Sequence, residues 1–307
     1  MGACFGGRVG LDFVPVKQGR KIGILYHPHR PRAKTLAEEL ARRVGTVEGD
    51  VWLCPVGGED IPRRHIEETR ILIAVGGDGT ILRAAHITLP YGIPIVGVNL
   101  GNLGFLAELR PEEAMERLPG LLAGGGRVEE RTMLRVELSP PVDSAATRRA
   151  AYVDGAFHAL NDVVVGRGAI LRVIYVDAEI DGAPFVTYKG DGVMVATATG
   201  STGYAWATGG PLLYPLSHSL ILKPISPHLS MDTPVVLPSA TVVCLRVRSE
   251  HQAVLSIDGQ VDVPLKGDEV VQVSASPYVT RFLRSNPPGH FYAALQRWLG
   301  WKGQNNE

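Results

Sequence analysis

The run Gly76-Gly77-Asp78-Gly79-Thr80 places one carboxylate among three glycines, directly after the apolar run 71–75 and before a helical pattern over 81–86. Ligands of open α/β sheets sit beyond the carboxyl ends of the strands. Glycines there let backbone N–H groups approach a phosphate closely at a helix N-terminus. Asp78 is the odd member of such a loop, because a carboxylate beside phosphates is repelled unless a cation or a substrate hydroxyl comes between them. In a phosphoryl transfer its place is coherent: Asp78 accepts the proton of the attacking hydroxyl while backbone donors and Mg²⁺ hold the transferring group. An isolated Asp-Gly reads as a turn with Thr80 capping a helix. Three glycines around one Asp at a strand end favour a phosphate loop framed by Gly76, Gly77 and Thr80.

A second element, Thr197-Ala198-Thr199-Gly200-Ser201-Thr202-Gly203-Tyr204, continues to Gly209-Gly210-Pro211 inside a stretch, 192–222, that has no Asp, Glu, Lys or Arg. Its hydroxyls and backbone amides suit a neutral polar or phosphorylated ligand; a Ser/Thr-capped helix after a strand fits it equally. The third is Asn161-Asp162, ahead of an apolar strand at 163–165. Asn offers a donor and an acceptor, and Asp can take two ribose hydroxyls, although taken alone the pair reads as a strand-entry turn. Absences narrow the class further. The sequence has no G-x-x-x-x-G-K-[ST] loop, no strict G-x-G-x-x-G and no H-E-x-x-H, which weakens P-loop NTPase, standard dinucleotide oxidoreductase and zinc protease readings.

The elements that must carry these residues change period along the chain. In 21–126, strands at 21–26, 51–54, 71–75 and 93–98 alternate with helices at 33–44, 81–86 and 111–122, which implies a parallel sheet covered by helices. After Gly124-Gly125-Gly126 the pattern alternates in twos, at 133–138 and 173–180, with further strands at 193–197, 241–247, 253–257 and 269–274 and tight turns at Asp181-Gly182 and Asp258-Gly259. A β-rich domain is therefore expected over 127–280. A helical pattern at 291–299 suggests that 281–307 returns to pack on the first domain; 1–20 is an unassigned extension.

Composition is consistent with two packed domains: 307 residues, 45% apolar, and Gly 36 and Pro 22, about a fifth of the chain and below the low-complexity range. Lys and Arg total 31 against 31 Asp and Glu, a balance that argues against a nucleic-acid or membrane coat. Cys4, Cys54 and Cys244 are too scattered for a disulfide framework or a structural zinc, so a reducing, cytoplasmic setting is expected. The uncharged stretches 84–107 and 192–222 are interrupted by Pro, Gly and Asn, or filled with Thr, Ser and Gly, and neither is read as a membrane span.

Taken jointly, GGDGT at 76–80, Asn161-Asp162, TGST-Gly-Tyr through Gly209-Gly210-Pro211, and Asp258-Gly259-Gln260 resemble the signature of the bacterial-type NAD kinases. The likeness runs from Lys21 to about Trp298, and Gly104-Phe105-Leu106 adds to it. It implies transfer of the γ-phosphoryl group of ATP to the 2′-hydroxyl of the adenosine ribose of NAD. It also implies an α/β N-terminal domain with a parallel sheet, like those of phosphofructokinases and diacylglycerol kinases, a β-rich C-terminal domain, and a site between them. By the same resemblance Asp78 is the proton acceptor, Gly79 its binding neighbour, and Arg83 reaches a phosphate. Asn161 and Asp162 hold the dinucleotide's ribose or nicotinamide, while Arg172, Lys189 and Asp191 make further dinucleotide contacts. Thr202, Gly203, Tyr204, Ala205, Trp206 and Ala207 wrap the adenosine and a neighbouring subunit's ligand, Gln260 lies near that pocket, and Phe105 packs against the adenine.

The sequence departs from the family pattern at Asp162, where Glu is usual, at Gly203, where Ala is usual, and at Ala205 and Ala207, where many members carry Ser. The shorter Asp162 side chain implies a longer or water-mediated ribose contact. Mg²⁺ is expected to arrive with ATP, since no acidic cluster resembles a dedicated cage. A homodimer or homotetramer is implied, with no nucleic-acid or membrane partner. The residues alone reach phosphoryl transfer; the resemblance selects NAD and leaves NAD against NADH, and ATP against polyphosphate, open. A lipid kinase of the same superfamily and a non-catalytic dinucleotide-binding regulator are the alternatives.

Overall fold

The computed structural model describes residues 21–57, 61, 63–101, 104–141, 151–169, 172–228, 231–248, 251–267 and 269–300; the extension at 1–20 lies outside them. In the first half β1 (Lys21–Tyr26), α1 (Pro31–Glu48), β2 (Val51–Pro55), α2 (Arg63–Glu67), β3 (Thr69–Gly76), α3 (Asp78–Thr88), β4 (Ile95–Asn99) and α4 (Pro111–Gly120) alternate as expected, except that the short α2 has no counterpart in the sequence pattern. Their strands are parallel in the order β4-β3-β1-β2. Central strands of a parallel sheet are covered on both faces and so read as nearly unbroken apolar runs. Accordingly Ile22, Ile24, Ile73 and Val75 pack under Leu36, Leu40 and Val44 of α1, while Leu72, Ala74 and Ile95 meet Ile81, Ala84 and Ala85 of α3 on the other face.

The second half contributes β5 (Arg127–Ser139), β6 (Tyr152–Val153), β7 (Ala156–Ala159), β8 (Asp162–Arg167), β9 (Ile174–Ile180), β10 (Ala183–Gly190) and β11 (Gly192–Ala196). After the short helix α5 (Tyr204–Ala207) come β12 (Leu220–Ile225), β13 (Val235–Leu237), β14 (Val243–Val247), β15 (Ala253–Ile257), β16 (Val261–Leu265), β17 (Val270–Arg284) and α6 (His290–Trp298). One sheet is antiparallel in the order β13-β12-β11-β8-β15-β16; the other runs β10-β9-β14-β17 and continues through β4 into the parallel sheet of the first half. The apolar faces of the two sheets close on a shared core that includes Val163, Val165, Val195, Leu222, Leu245 and Val273.

The expected boundary at residue 280 falls inside β17. This 15-residue strand pairs antiparallel with β5 and β14, shifts register between Ala275 and Val279, and then sets Phe282 parallel to Ile95 of β4. The returning segment is thus a strand through Arg284 followed by α6.

One buried carboxylate ties the halves together. Asp258, at φ 52° in the turn between β15 and β16, accepts backbone N–H bonds from Leu160, Asn161 and Asp162 at 2.8, 2.7 and 3.1 Å. Its Oδ2 also lies 2.7 Å from Nε2 of the buried His86, on α3. Removing one member of such a set leaves the others buried and unpartnered, which costs about 3 kcal/mol or more. Asp258→Ala is expected to lose at least about 3 kcal/mol of unfolding free energy in a urea titration, and a loss below about 1 kcal/mol, the scale of an exposed ion pair, would contradict the tie.

Candidate active site

Asp78 is the first residue of α3, which begins as β3 ends; Gly77 before it is extended at φ −102°, ψ −175°. The segment 104–108, after β4, lies across it. A Cβ at Gly104 would overlap the Asp78 carboxylate, so glycine is what lets this backbone lie against the acid. Burial raises the Asp78 pKa above the ordinary carboxylate value, opposed by the positive charge of Arg284 and by the amides of Leu106 and Phe105. Those amides favour the anion without reaching hydrogen-bond geometry at Oδ1, which is buried and has no partner. A carboxylate in that position is a stronger proton acceptor than one in water.

The second part of the candidate site is the corner before β8. Thr197 donates its hydroxyl to Leu160 O at 2.6 Å and its amide to Asn161 O at 2.9 Å, fixing the corner against the end of β11. Gly200 lies so close on the Asn161 backbone that a Cβ would overlap it. The Asn161 side chain is left with a buried, unpartnered Oδ1. Asp162 is buried, and desolvation together with the neighbouring Asp258 carboxylate pushes its pKa up to about 7. A cleft of about 320 Å³ opens here, within the usual size of small-molecule sites, lined by Asn161, Asp162, Val164, Tyr204, Ser256, Asp258 and Gly259. Gln260, one residue beyond that lining, donates from Nε2 to Gly79 O at 3.0 Å, which joins the Asp78 loop to the rim of the cleft.

Other expected residues stand differently. Thr80 is buried with its hydroxyl packed back on Gly76. Thr202 donates to Thr199 O at 3.1 Å, and Ser201 to Ala198 O at 2.7 Å, so these hydroxyls build the turn before α5. Within α5 Ala205 is fully buried, whereas Tyr204 stands exposed at the mouth of the cleft. Arg83 lies on the outer face of α3 with its guanidinium over Gly57 and its charge acting on His27, on the side of β1 and β2. The ring of Phe105 meets Phe291 and Trp298 at 6.0 and 5.4 Å, and Trp206 meets Trp298 at 5.7 Å, so α6 covers both. Lys189 sits over the Tyr175 ring, Asp191 pairs with Arg167 at 3.1 Å, and Arg172 is exposed; none of the three lines the cleft. Sequence reasoning read Asp258 only as a turn and passed over His86 and Arg284. An Asp-Gly turn gives no sign of which donors its carboxylate meets across the fold.

The matches to known proteins follow the same geography. The model of the ATP-NAD kinase N-terminal domain matches residues 58–126, and that of the ATP-NAD kinase C-terminal domain matches 160–285. A NAD kinase of Dehalococcoides mccartyi is 43% identical over 286 residues, covering 93% of this chain and 97% of its own. A NAD kinase of Geobacter sulfurreducens is 34% identical over 92% of this chain and 99% of its own. The crystal structure of a NAD kinase from Archaeoglobus fulgidus in complex with ATP superposes with a TM-score of 0.71 at 25% identity, covering 90% of this chain and 98% of that one. Yeast NADH kinase complexed with NADH shares the fold at a TM-score of 0.78, covering 94% and 89%, with 21% identity. With both domain models matched in order and relatives aligned nearly end to end, the chain belongs to the NAD kinase family.

Proposed function

We infer that the NAD kinase reaction of this chain takes place where the Asp78 loop meets the Asn161-Asp162 corner. The observation that carries this reading is a pair of buried acceptors without donors, Asp78 Oδ1 and Asn161 Oδ1. Unpartnered buried acceptors are rare because each forfeits its hydration, and hydroxyl-bearing ligands supply the missing donors. NAD brings ribose hydroxyls. The adenosine 2′-oxygen attacks the γ-phosphorus of ATP, the bond from that phosphorus to the β–γ bridging oxygen breaks, the proton passes to Asp78, and ADP leaves. Asp162 accepts from the ribose hydroxyls, and Asn161 both accepts and donates beside it.

Among the described residues no group of three or more His, Cys, Asp and Glu is placed to hold a metal ion. Separate carboxylates at Asp78 and Asp162 fit instead a divalent ion that enters coordinated by the triphosphate, where it neutralises charge on the transferring group. Self-association is part of the proposal, supported by the exposed Tyr175 and Phe185 of the β9–β10 hairpin. Among the described residues no helix is long and apolar enough to cross a membrane. A cytoplasmic setting rests on the free Cys54 and Cys244.

Asp78→Asn is expected to abolish NADP formation while the Kd for NAD stays within about tenfold; turnover retained in a mass-spectrometric product assay would remove Asp78 from the role of base. Because the folded pKa of Asp162 is about 7, the unliganded carboxyl is largely protonated at pH 6.5. Ribose donors favour the anion, so NAD binding should release a proton. Calorimetry at pH 6.5 in two buffers of different ionisation enthalpy is expected to show that release, and to lose it in Asp162→Asn. Because the unfolded chain ionises Asp162 at the ordinary carboxylate pKa and the folded chain only near 7, the penalty builds up between those two values; the same substitution should therefore raise Tm most at pH 8, less at pH 5, and hardly at all at pH 3.5.

A further inference from the structure

We propose that Arg284, carried into the first half of the molecule by β17, is the positioning residue that holds the segment 104–108 against Asp78 in the geometry the phosphoryl transfer requires. The inference rests on the reading of Asp78 as proton acceptor and adds a residue that acts through it. Arg284 is buried, with Nη1 donating to Leu106 O at 2.9 Å and to Glu108 Oε2 at 3.3 Å, and Nε 3.5 Å from Glu129 Oε1. Its guanidinium lies over the Phe282 ring at 4.7 Å. Glu108 is held in turn by the amides of Ser285 and Asn286 at 2.8 and 2.7 Å, so the segment is clasped from both sides by the end of one strand. Gly104, which lies on the Asp78 carboxylate, is two residues from the Leu106 carbonyl that Arg284 grips. Moving the guanidinium therefore moves the backbone that touches the acid.

The charges point the same way. Arg284 shares its pocket with Glu108 from the segment, with Glu129 and Arg131 from β5, and with Arg127 at 2.8 Å beyond Glu129. Burial would raise the Glu129 pKa, but Arg131 and Arg284 hold it at about 2. Burial and Arg284 bring Arg131 down to about 10 against the pull of Glu129. Three guanidiniums thus face two carboxylates, and the uncompensated positive charge acts on Asp78 through Arg284. Arg131 also donates to Thr199 Oγ1 at 3.3 Å, which links the network to the turn before α5. A merely structural arginine would be satisfied by its two acids; this one also grips the carbonyl beside the acid that does the chemistry.

The test uses the full-length enzyme with Arg284→Met and Arg284→Lys. Met removes charge and fork, and Lys keeps the charge without the fork. In Arg284→Met, kcat is expected to fall at least about tenfold with the KM for NAD within about threefold, and the acidic limb of the kcat–pH profile is expected to move to higher pH. In Arg284→Lys the limb should stay near its wild-type place while kcat remains reduced. A folded Arg284→Met with wild-type kcat, or with reduced kcat and an unmoved limb, overturns the proposal. If Arg284→Met does not fold, Arg284→Lys decides alone: reduced kcat at unchanged KM supports the role, and wild-type kcat overturns it. Carbon-13 titration of the Asp78 carboxyl, assigned by its loss in Asp78→Asn, gives a readout independent of turnover. An upward shift of that titration in Arg284→Met supports the proposal, and none overturns it. Wild-type enzyme inactive on NAD would instead defeat the reading of the site, with the Arg284 titration still interpretable.

Discussion

A general base in a phosphate site works under two opposed demands. It must be dry enough to be more basic than a carboxylate in water, and close enough to positive charge to remain an anion between turnovers. In the role proposed for it, Asp78 would meet the first by lying under the backbone of Gly104 and the second through Arg284. Neither partner comes from the loop that carries Asp78. The glycine follows β4 and the arginine ends β17, so the chemistry of one side chain depends on distant parts of the chain meeting at one edge of a sheet.

That dependence separates what the sequence discloses from what it does not. The alternation of strands and helices in 21–126 was legible because strands buried on two faces and helices buried on one leave different periods. β1 and β15 fall at the expected residues, and the helix at Pro111 begins where proline and the acids Glu112 and Glu113 place it. β12 was not legible: Leu-Ile-Leu-Lys-Pro-Ile is buried throughout, but its lysine and proline break the apolar run. Lys223 is tolerated there because its ammonium donates to Asp232 O at 2.8 Å. Only the first third of β17 was expected, since Ser-Ala-Ser-Pro interrupts its alternation where the register shifts.

The candidate site shows the same division. Asp78, Asn161, Asp162 and Gln260 stand out as short polar motifs at strand ends or turns; Asn161 and Asp162 line one cleft, and Gln260 bonds the residue after Asp78. Asp258 and Arg284 act through contacts across 98 and 178 positions in the chain, respectively with Leu160 and Leu106, and no local pattern encodes such a meeting. Other expected residues have partners away from the cleft: Phe105 meets aromatic rings of α6, and Asp191 meets Arg167.

The course of β17 has a consequence for how such an enzyme can be divided. Because Phe282 extends the parallel sheet at Ile95, a graft limited to 21–126 would expose a bare strand edge, an invitation to aggregation. It would also carry the acid away from its counter-charge. Recombination that exchanges the two halves between relatives must therefore keep this strand with the first half's ancestry, even though more than 140 positions separate Arg127 from its start at Val270.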